Sequence, residues 1–322
     1  MSYKPPFKIT NNILLLIQDI SKSLGFLSGA KLKLQPTTLR KSNKIQTIQS
    51  SLAIEGNNLT IDQITAVLLG KKVLAPKKDI IEVQNAIKVY EQICNYNPLS
   101  LNDFLNSHKL LLQDLAEDNG KWRSGNVGIM RGNKVVHIAP KAKKVNDLML
   151  ELFDFLKSNK DVSWLIKACV FHYELELIHP FSDGNGRMGR LWQQIILMKE
   201  DKIFEYIPIE ALIKDNQEQY YKVLGICDNV GESTLFIEFM LEQISHAIGS
   251  YNENILSNVN TPTMRLEYAR DYFINKSFSR KEYILLHKNI STATASRDLK
   301  YALDQKKLQR IGDKNQSIYR FI

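Results

Sequence analysis

The sequence predicts an all-α fold carrying one β-hairpin, with a small mixed unit at its C-terminal end. Three observations lead there. Apolar residues recur at helical spacing through most of the chain, as in residues 38–54, 145–158 and 233–248. That period breaks between Asn119 and Pro140, where two β-compatible runs, 126–130 and 135–139, flank Arg131-Gly132-Asn133-Lys134. Near the end, residues 308–311 and 317–321 read as strand arms around Gly312-Asp313-Lys314-Asn315, after three helical segments.

Taken in order, Pro5-Pro6 precede a helical run over 13–27 and a Gly/Ser break. Thr38 caps a helix through Ile54, with Leu39, Ile45, Ile48 and Leu52 as its apolar positions and Gly56 as its C-cap. Thr60-Ile61-Asp62-Gln63 has the form of a capping box and starts a helix to about Leu69. A Lys-rich loop leads to a helix over 79–93, and Ser100-Leu101-Asn102-Asp103 starts another to about Leu115. His108 within it reads as structural. After the hairpin come helices over 145–158 and 162–178, the second apolar enough to be the buried centre. His172, two turns before His179, has no third ligand at metal spacing and reads as core. Helices then follow over 216–224, which holds Tyr220-Tyr221, and 233–248.

Residues 250–263, rich in Asn, Ser and Thr, read as a domain boundary. Helices over 264–276, 280–286 and from about Thr292, then the strand arms, have the order of a winged helix-turn-helix with its recognition helix starting near Thr292. The expected organisation is a helical region 1–95, a core 96–250, a linker 251–262 and the winged unit 263–322.

Hydrophobic content of 44% and charged content of 24% are those of an ordinary soluble globular chain. Cys94, Cys169 and Cys227 are odd in number and lack metal spacing, so a disulfide framework is not expected. No apolar run is long enough for a signal or a membrane span, and a cytoplasmic location is expected. Residues 261–322 hold 13 Lys and Arg against 6 Asp and Glu, net +7 of the chain's +9. The basic character therefore belongs to the winged unit, which makes duplex DNA a candidate partner.

Chemistry concentrates in His179-Pro180-Phe181-Ser182-Asp183-Gly184-Asn185-Gly186-Arg187-Met188-Gly189-Arg190, between two apolar helical runs. Pro180 disfavours helix at His179, and the glycines with Asn185 permit unusual backbone conformations. Main-chain N–H groups of Gly184, Asn185 and Gly186 would converge at the start of the second helix, a site for phosphates. Arg187 and Arg190 share one face of that helix. His179 can act as a general base near neutral pH, and Asp183 is a hard ligand suited to Mg²⁺. Phosphoryl or nucleotidyl transfer uses such parts.

This stretch resembles the signature of Fic proteins, His-x-Phe-x-Asp/Glu-Gly-Asn-Gly-Arg-x-x-Arg, with every specified position filled. Ser51-Leu52-Ala53-Ile54-Glu55-Gly56 resembles the inhibitory motif Ser/Thr-x-x-x-Glu-Gly/Asn of the same family. The resemblance implies a protein adenylyltransferase that moves AMP from ATP to a Ser, Thr or Tyr hydroxyl of a target protein, itself included. It implies His179 as base, Asp183 as the Mg²⁺ ligand, and Gly184, Asn185 with its side chain, Gly186 and Arg187 around the α- and β-phosphates. It further implies Arg190 on the γ-phosphate, Tyr221 at the base, and Ser51 and Glu55 as inhibitory residues, Glu55 pairing with Arg190. The hairpin would be the flap that aligns the target. Gly186 argues against the phosphotransferase relatives, which carry lysine there. Removal of AMP and homo-oligomer formation are further expectations. The other function class left open is a DNA-binding regulator that uses the nucleotide site as a sensor.

Overall fold

The computed structural model describes residues 4–29, 37–131, 134–158, 161–259, 261–274, 276–287, 290–312 and 317–322. Its elements are, in order, α1 (Asn11–Gly29), α2 (Thr37–Ile54), α3 (Ile61–Leu68), α4 (Lys77–Glu91), α5 (Leu101–Leu111), β1 (Gly128–Arg131), β2 (Lys134–Ile138), α6 (Val145–Ser158), α7 (Trp164–Ile178), α8 (Asn185–Leu197), α9 (Ile209–Asp215), α10 (Gln217–Val230), α11 (Thr234–Val259), α12 (Pro262–Phe273), β3 (Phe278–Ser279), α13 (Arg280–Leu286), α14 (Thr292–Asp304), β4 (Leu308–Ile311) and β5 (Ile318–Phe321). The all-α class with one hairpin is what the sequence predicts. The short α9 and the two-residue β3 were not expected, and α8 begins at Asn185, six residues before the apolar run at Leu191.

The caps explain most boundaries. Thr60 accepts from Gln63 N–H while the Gln63 side chain returns to Thr60 N–H, the reciprocal box that starts α3. Ser100 does the same work for α5 by accepting from Asp103 N–H. α2 stops in a Schellman turn. Asn57 N–H reaches the Leu52 carbonyl at 3.1 Å and Gly56 N–H the Ala53 carbonyl at 3.0 Å, with Gly56 at φ 91°. That turn fixes where Glu55, the residue between, leaves the helix.

The chain divides into two compact units, Met1–Gly249 and Ser250–Ile322. The first is built around α7, whose side chains are buried on nearly all sides. Two of its polar residues find partners inside the core: Lys167 Nζ donates to the Leu156 carbonyl, and His172 contacts Gln193 Oε1 and the Tyr220 hydroxyl. Burial pushes the His172 imidazole down to about 3, so this ring is a neutral packing residue, as expected. Phe104 meets Phe153, Phe171, Phe181 and Trp192 at centroid distances of 5.0–6.0 Å. Phe181 comes from the loop between α7 and α8, so this cluster anchors the loop from beneath.

The hairpin pairs Gly128 with Ile138 and Arg131 with Lys134, with a bulge between Ile129 and Met130. Its turn residues Gly132 and Asn133 lie outside the described residues. In the second unit α12, α13 and α14 accompany an antiparallel sheet of order β3-β5-β4, with β3 falling between α12 and α13. Leu266, Phe273, Phe278, Tyr283 and Leu299 form its core. The division between the units falls within α11, so the expected linker is helical through Val259. The loop tip Asp313-Lys314-Asn315 also lies outside the described residues. Among the described residues, no helix is long and apolar enough to cross a membrane.

Candidate active site

The site forms where α7 gives way to α8. Pro180 excludes right-handed helix at His179, which closes α7 in the left-handed region at φ 49°. Gly184 takes φ 84°, and a Cβ there would lie 2.7 Å from Leu112 Cδ2, so the turn needs glycine. The first bond of α8 runs from Met188 N–H to the Gly184 carbonyl. The N–H groups of Asn185, Gly186 and Arg187 therefore have no acceptor within the helix, and the positive end of α8 faces the site.

Several contacts hold the loop. Asn185 accepts from Phe181 N–H and donates to the Phe181 carbonyl, both at 2.9 Å, and is buried. Its Oδ1 and one Nδ2–H thus close the loop on Phe181. His108 Nδ1 accepts from Gly120 N–H at 2.8 Å, so Nε2 carries the proton and donates to the Asp183 carbonyl at 3.0 Å. Burial pushes this imidazole down to about 4, and it stacks on Phe181 at 3.5 Å. Its role is structural, as expected. Arg123 donates to the carbonyls of His179, Gly125 and Pro140, which ties the loop to both ends of the hairpin.

A cavity of about 430 Å³ opens here, with Glu55, Glu176, His179, Gly186, Arg190 and Tyr221 among its lining residues. His179 Nδ1 is buried and has no hydrogen-bond partner among the described residues. Burial holds this imidazole below the ordinary histidine range, partly offset by the Glu176 carbonyl. At neutral pH the ring is uncharged and can accept a proton. Arg190 is nearly fully buried and donates Nη2 to Glu55 Oε1 at 2.6 Å, Nε to Ser51 Oγ at 3.1 Å and Nη2 to the Ser51 carbonyl at 3.0 Å. Burial disfavours the guanidinium charge, but Glu55, Tyr220 and Glu176 together outweigh it and the charged form is stabilised. A Cβ on Gly186 would collide with Glu55 Oε1 and come within 3.0 Å of Arg190 Nη1. The Glu55 carboxylate thus rests against the first turn of α8, where the geometry offers a place to an anion.

Arg187 is buried too, with Nη2 2.9 Å from Asp183 Oδ1 and Nη1 3.3 Å from Glu82 Oε1. Glu82 also accepts from Asn57 Nδ2 at 2.9 Å. Asp183 is half-exposed, and both its contacts, to Arg187 and to Gly184 N–H, fall on Oδ1. Burial disfavours this carboxylate, yet Arg187 and the Gly184 N–H hold it below the ordinary carboxylate range. Among the described residues no group of three His, Cys, Asp or Glu could hold a metal alone. A single ionised, accessible carboxylate still fits Mg²⁺ brought in by phosphates, which needs one or two carboxylates.

Four participants escaped the sequence reading. Glu82 sets Arg187, Glu176 lines the cavity, and His137 joins Asp228 across it. Burial pushes the Glu176 carboxyl up to about 7, with Arg190 opposing. Of the four, only Glu176 stands near the motif in sequence, one turn before His179. Tyr221 lies on the cavity wall, with Gln217 Nε2 3.5 Å from its hydroxyl.

Comparison with known proteins places this arrangement. The Fic/DOC family model matches residues 98–197. The chain is 37% identical to a Fic family protein from Desulfovibrio desulfuricans G20, covering 99% of this chain and 98% of that one at a TM-score of 0.76. It is 29% identical to "Protein adenylyltransferase Fic" of Nematostella vectensis over 66% of this chain, and 27% identical to "Protein adenylyltransferase fic-1" of Caenorhabditis briggsae over 63%. The chain spans 49% and 40% of those two proteins, respectively.

Proposed function

Because this chain belongs to the Fic/DOC family, we propose that it is a protein adenylyltransferase held off by its own Glu55. The observation that carries the reading is one cavity holding an uncharged His179, the buried Arg190 and the positive end of α8. ATP is the substrate. The α-phosphate would sit over the free N–H groups of α8, and Arg190, once released, would take the γ-phosphate by charge-assisted hydrogen bonds. A target hydroxyl oxygen attacks the α-phosphorus, the bond to the β-phosphate bridging oxygen breaks, and His179 accepts the hydroxyl proton. The products are the AMP-modified side chain and pyrophosphate. Asp183 would hold a Mg²⁺ ion, which when bound supplies neutralisation of charge on the departing pyrophosphate. Tyr221 would border the base.

Glu55 supports the regulatory half of the reading. Its carboxylate lies where an anionic phosphate would otherwise meet Arg190 and α8. ATP can enter, but with its γ-phosphate displaced and the α-phosphate out of line for attack. The family resemblance adds removal of AMP, with Glu55 orienting a water. The test of the whole reading is transfer of the α-phosphate label of ATP to protein.

The target strand is proposed to dock on the hairpin. Ala139 N–H donates to the Val127 carbonyl, so alternation turns the Ile138 N–H away from β1 towards the free edge. Ile138 is itself 79% exposed. Ile138→Pro should lower target modification roughly tenfold, from loss of about one to two hydrogen bonds, while ATP affinity is kept. Titration of ATP binding beside transfer kinetics checks this; equal loss of both contradicts it.

A second reading, a DNA-binding regulator with a nucleotide-sensing site, rests on α14. Asp298 is buried in a two-bond pair with Arg265 (2.6 and 2.8 Å). The exposed positions of the same helix are Thr292, Ala293, Arg297, Lys300, Tyr301 and Asp304, so cations dominate its outer face. Full-length protein should bind a mixed-sequence duplex with affinity falling steeply as salt rises, and Arg297→Ala with Lys300→Ala should weaken it by roughly tenfold or more. Absence of binding at low salt ends this reading.

A further inference from the structure

His137 makes two contacts that together demand an unusual chemistry. It sits in β2 with its ring mostly buried. Nδ1 lies 3.0 Å from Asp228 Oδ2 on α10, and Nε2 lies 2.8 Å from the Leu177 carbonyl in the last turn of α7. A carboxylate and a carbonyl can only accept. A neutral imidazole has one N–H, so it can make only one of these bonds. Both together need a ring that carries both protons. The surroundings suit such a cation: the Asp228 charge stands on one side and the negative end of the α7 dipole on the other.

The three joined segments are the walls of the nucleotide cavity. His137, Leu177 and Asp228 all line it, and Leu177 is two residues before His179. The next residue along β2 is Ile138, outward-facing on the proposed docking edge. One side chain therefore sets the hairpin against the helix that ends in the base. We propose that His137, clasped as a doubly protonated ring between Asp228 and the Leu177 carbonyl, is the positioning residue that fixes the hairpin edge over His179. This rests on the adenylyltransferase reading.

The titratable and charged groups that line the cavity beside the clasp are Asp228 and Lys222 from α10, Glu176 and His179 from α7 and its cap, Arg190 from α8 and Glu55 after α2. The clasp cation also disfavours a second charge on His179, adding to the effect of burial there. It thus favours the proton-accepting form of the base as well as its placement. Because both partners accept, loss of either ring proton breaks one of the two bonds and opens the clasp. Asp228→Asn changes that requirement. An amide can donate Nδ2–H to a bare Nδ1 while Nε2–H keeps the Leu177 carbonyl, so a neutral ring closes the same clasp. His137→Phe fills the space and makes neither bond.

The experiment is amide hydrogen exchange on the full chain, following residues 126–139 between about pH 6 and about pH 9, corrected for intrinsic rates. The wild type should lose roughly tenfold protection across this range, Asp228→Asn should hold its protection, and His137→Phe should be weakly protected throughout. Protection that is independent of pH in the wild type overturns the doubly protonated clasp. A parallel arm adds His137→Phe to a Glu55→Gly background and follows self-modification with ATP. A fall of roughly tenfold or more, with ADP binding kept, supports positioning; unchanged transfer overturns it. If Glu55→Gly itself transfers nothing, the adenylyltransferase reading fails and the positioning role fails with it, while the exchange data still judge the clasp.

Discussion

Glu55→Gly should raise AMP transfer, self-modification included, by roughly 5- to 150-fold, the span of coupling free energies of about 1–3 kcal/mol. The Glu55–Arg190 contact at 2.6 Å is short and charge-assisted, but Glu55 is about one-third exposed, so solvent screens it. A fully buried pair would be harder to undo. Glycine removes the carboxylate and frees both Arg190 and the first turn of α8. The gain should appear in turnover more than in ATP affinity, because the block lies in phosphate alignment. Adding Arg190→Ala should erase most of the gain, since the freed arginine is what the γ-phosphate uses. Rates for the two single variants and the double variant decide it. A Glu55→Gly protein no faster than wild type refutes the inhibitory assignment.

His179→Ala, placed in the Glu55→Gly background, should cut transfer by roughly 10²–10⁴-fold while ATP still binds. The loss is that of a general base whose ring is held uncharged by burial. The parent's rate should therefore rise with pH along an acid limb lying below the ordinary histidine value of 6.5. That limb should vanish in the alanine variant. Single-turnover rates across pH, with nucleotide binding measured alongside, check both parts. Near-parental turnover by His179→Ala excludes the base assignment.

What the sequence made legible is what lies close along the chain. The turn at His179 to Gly184 follows from one proline and one glycine, and the helix start beyond it from local geometry. Glu55 was legible through the resemblance of Ser51 to Gly56 to the family's inhibitory motif, a single short segment that presents the whole contact with Arg190. Glu82 was not, since it meets Arg187 from 105 residues away, and the His137–Asp228 pair spans 91. No local pattern encodes such pairings. Spacing alone did not show that the Asn185 side chain also closes the loop on Phe181. The seven-residue α9 and the two-residue β3 are too short to show a period of their own.

The central claim is that the group transferred is AMP. Glu55→Gly protein should be incubated with Mg²⁺ and ATP labelled at the α-phosphate in one reaction and at the γ-phosphate in another. Label on protein from the α-position alone is the predicted result. Label from the γ-position would mean phosphoryl transfer, and no label from either would mean that no nucleotide group is transferred; each contradicts the account.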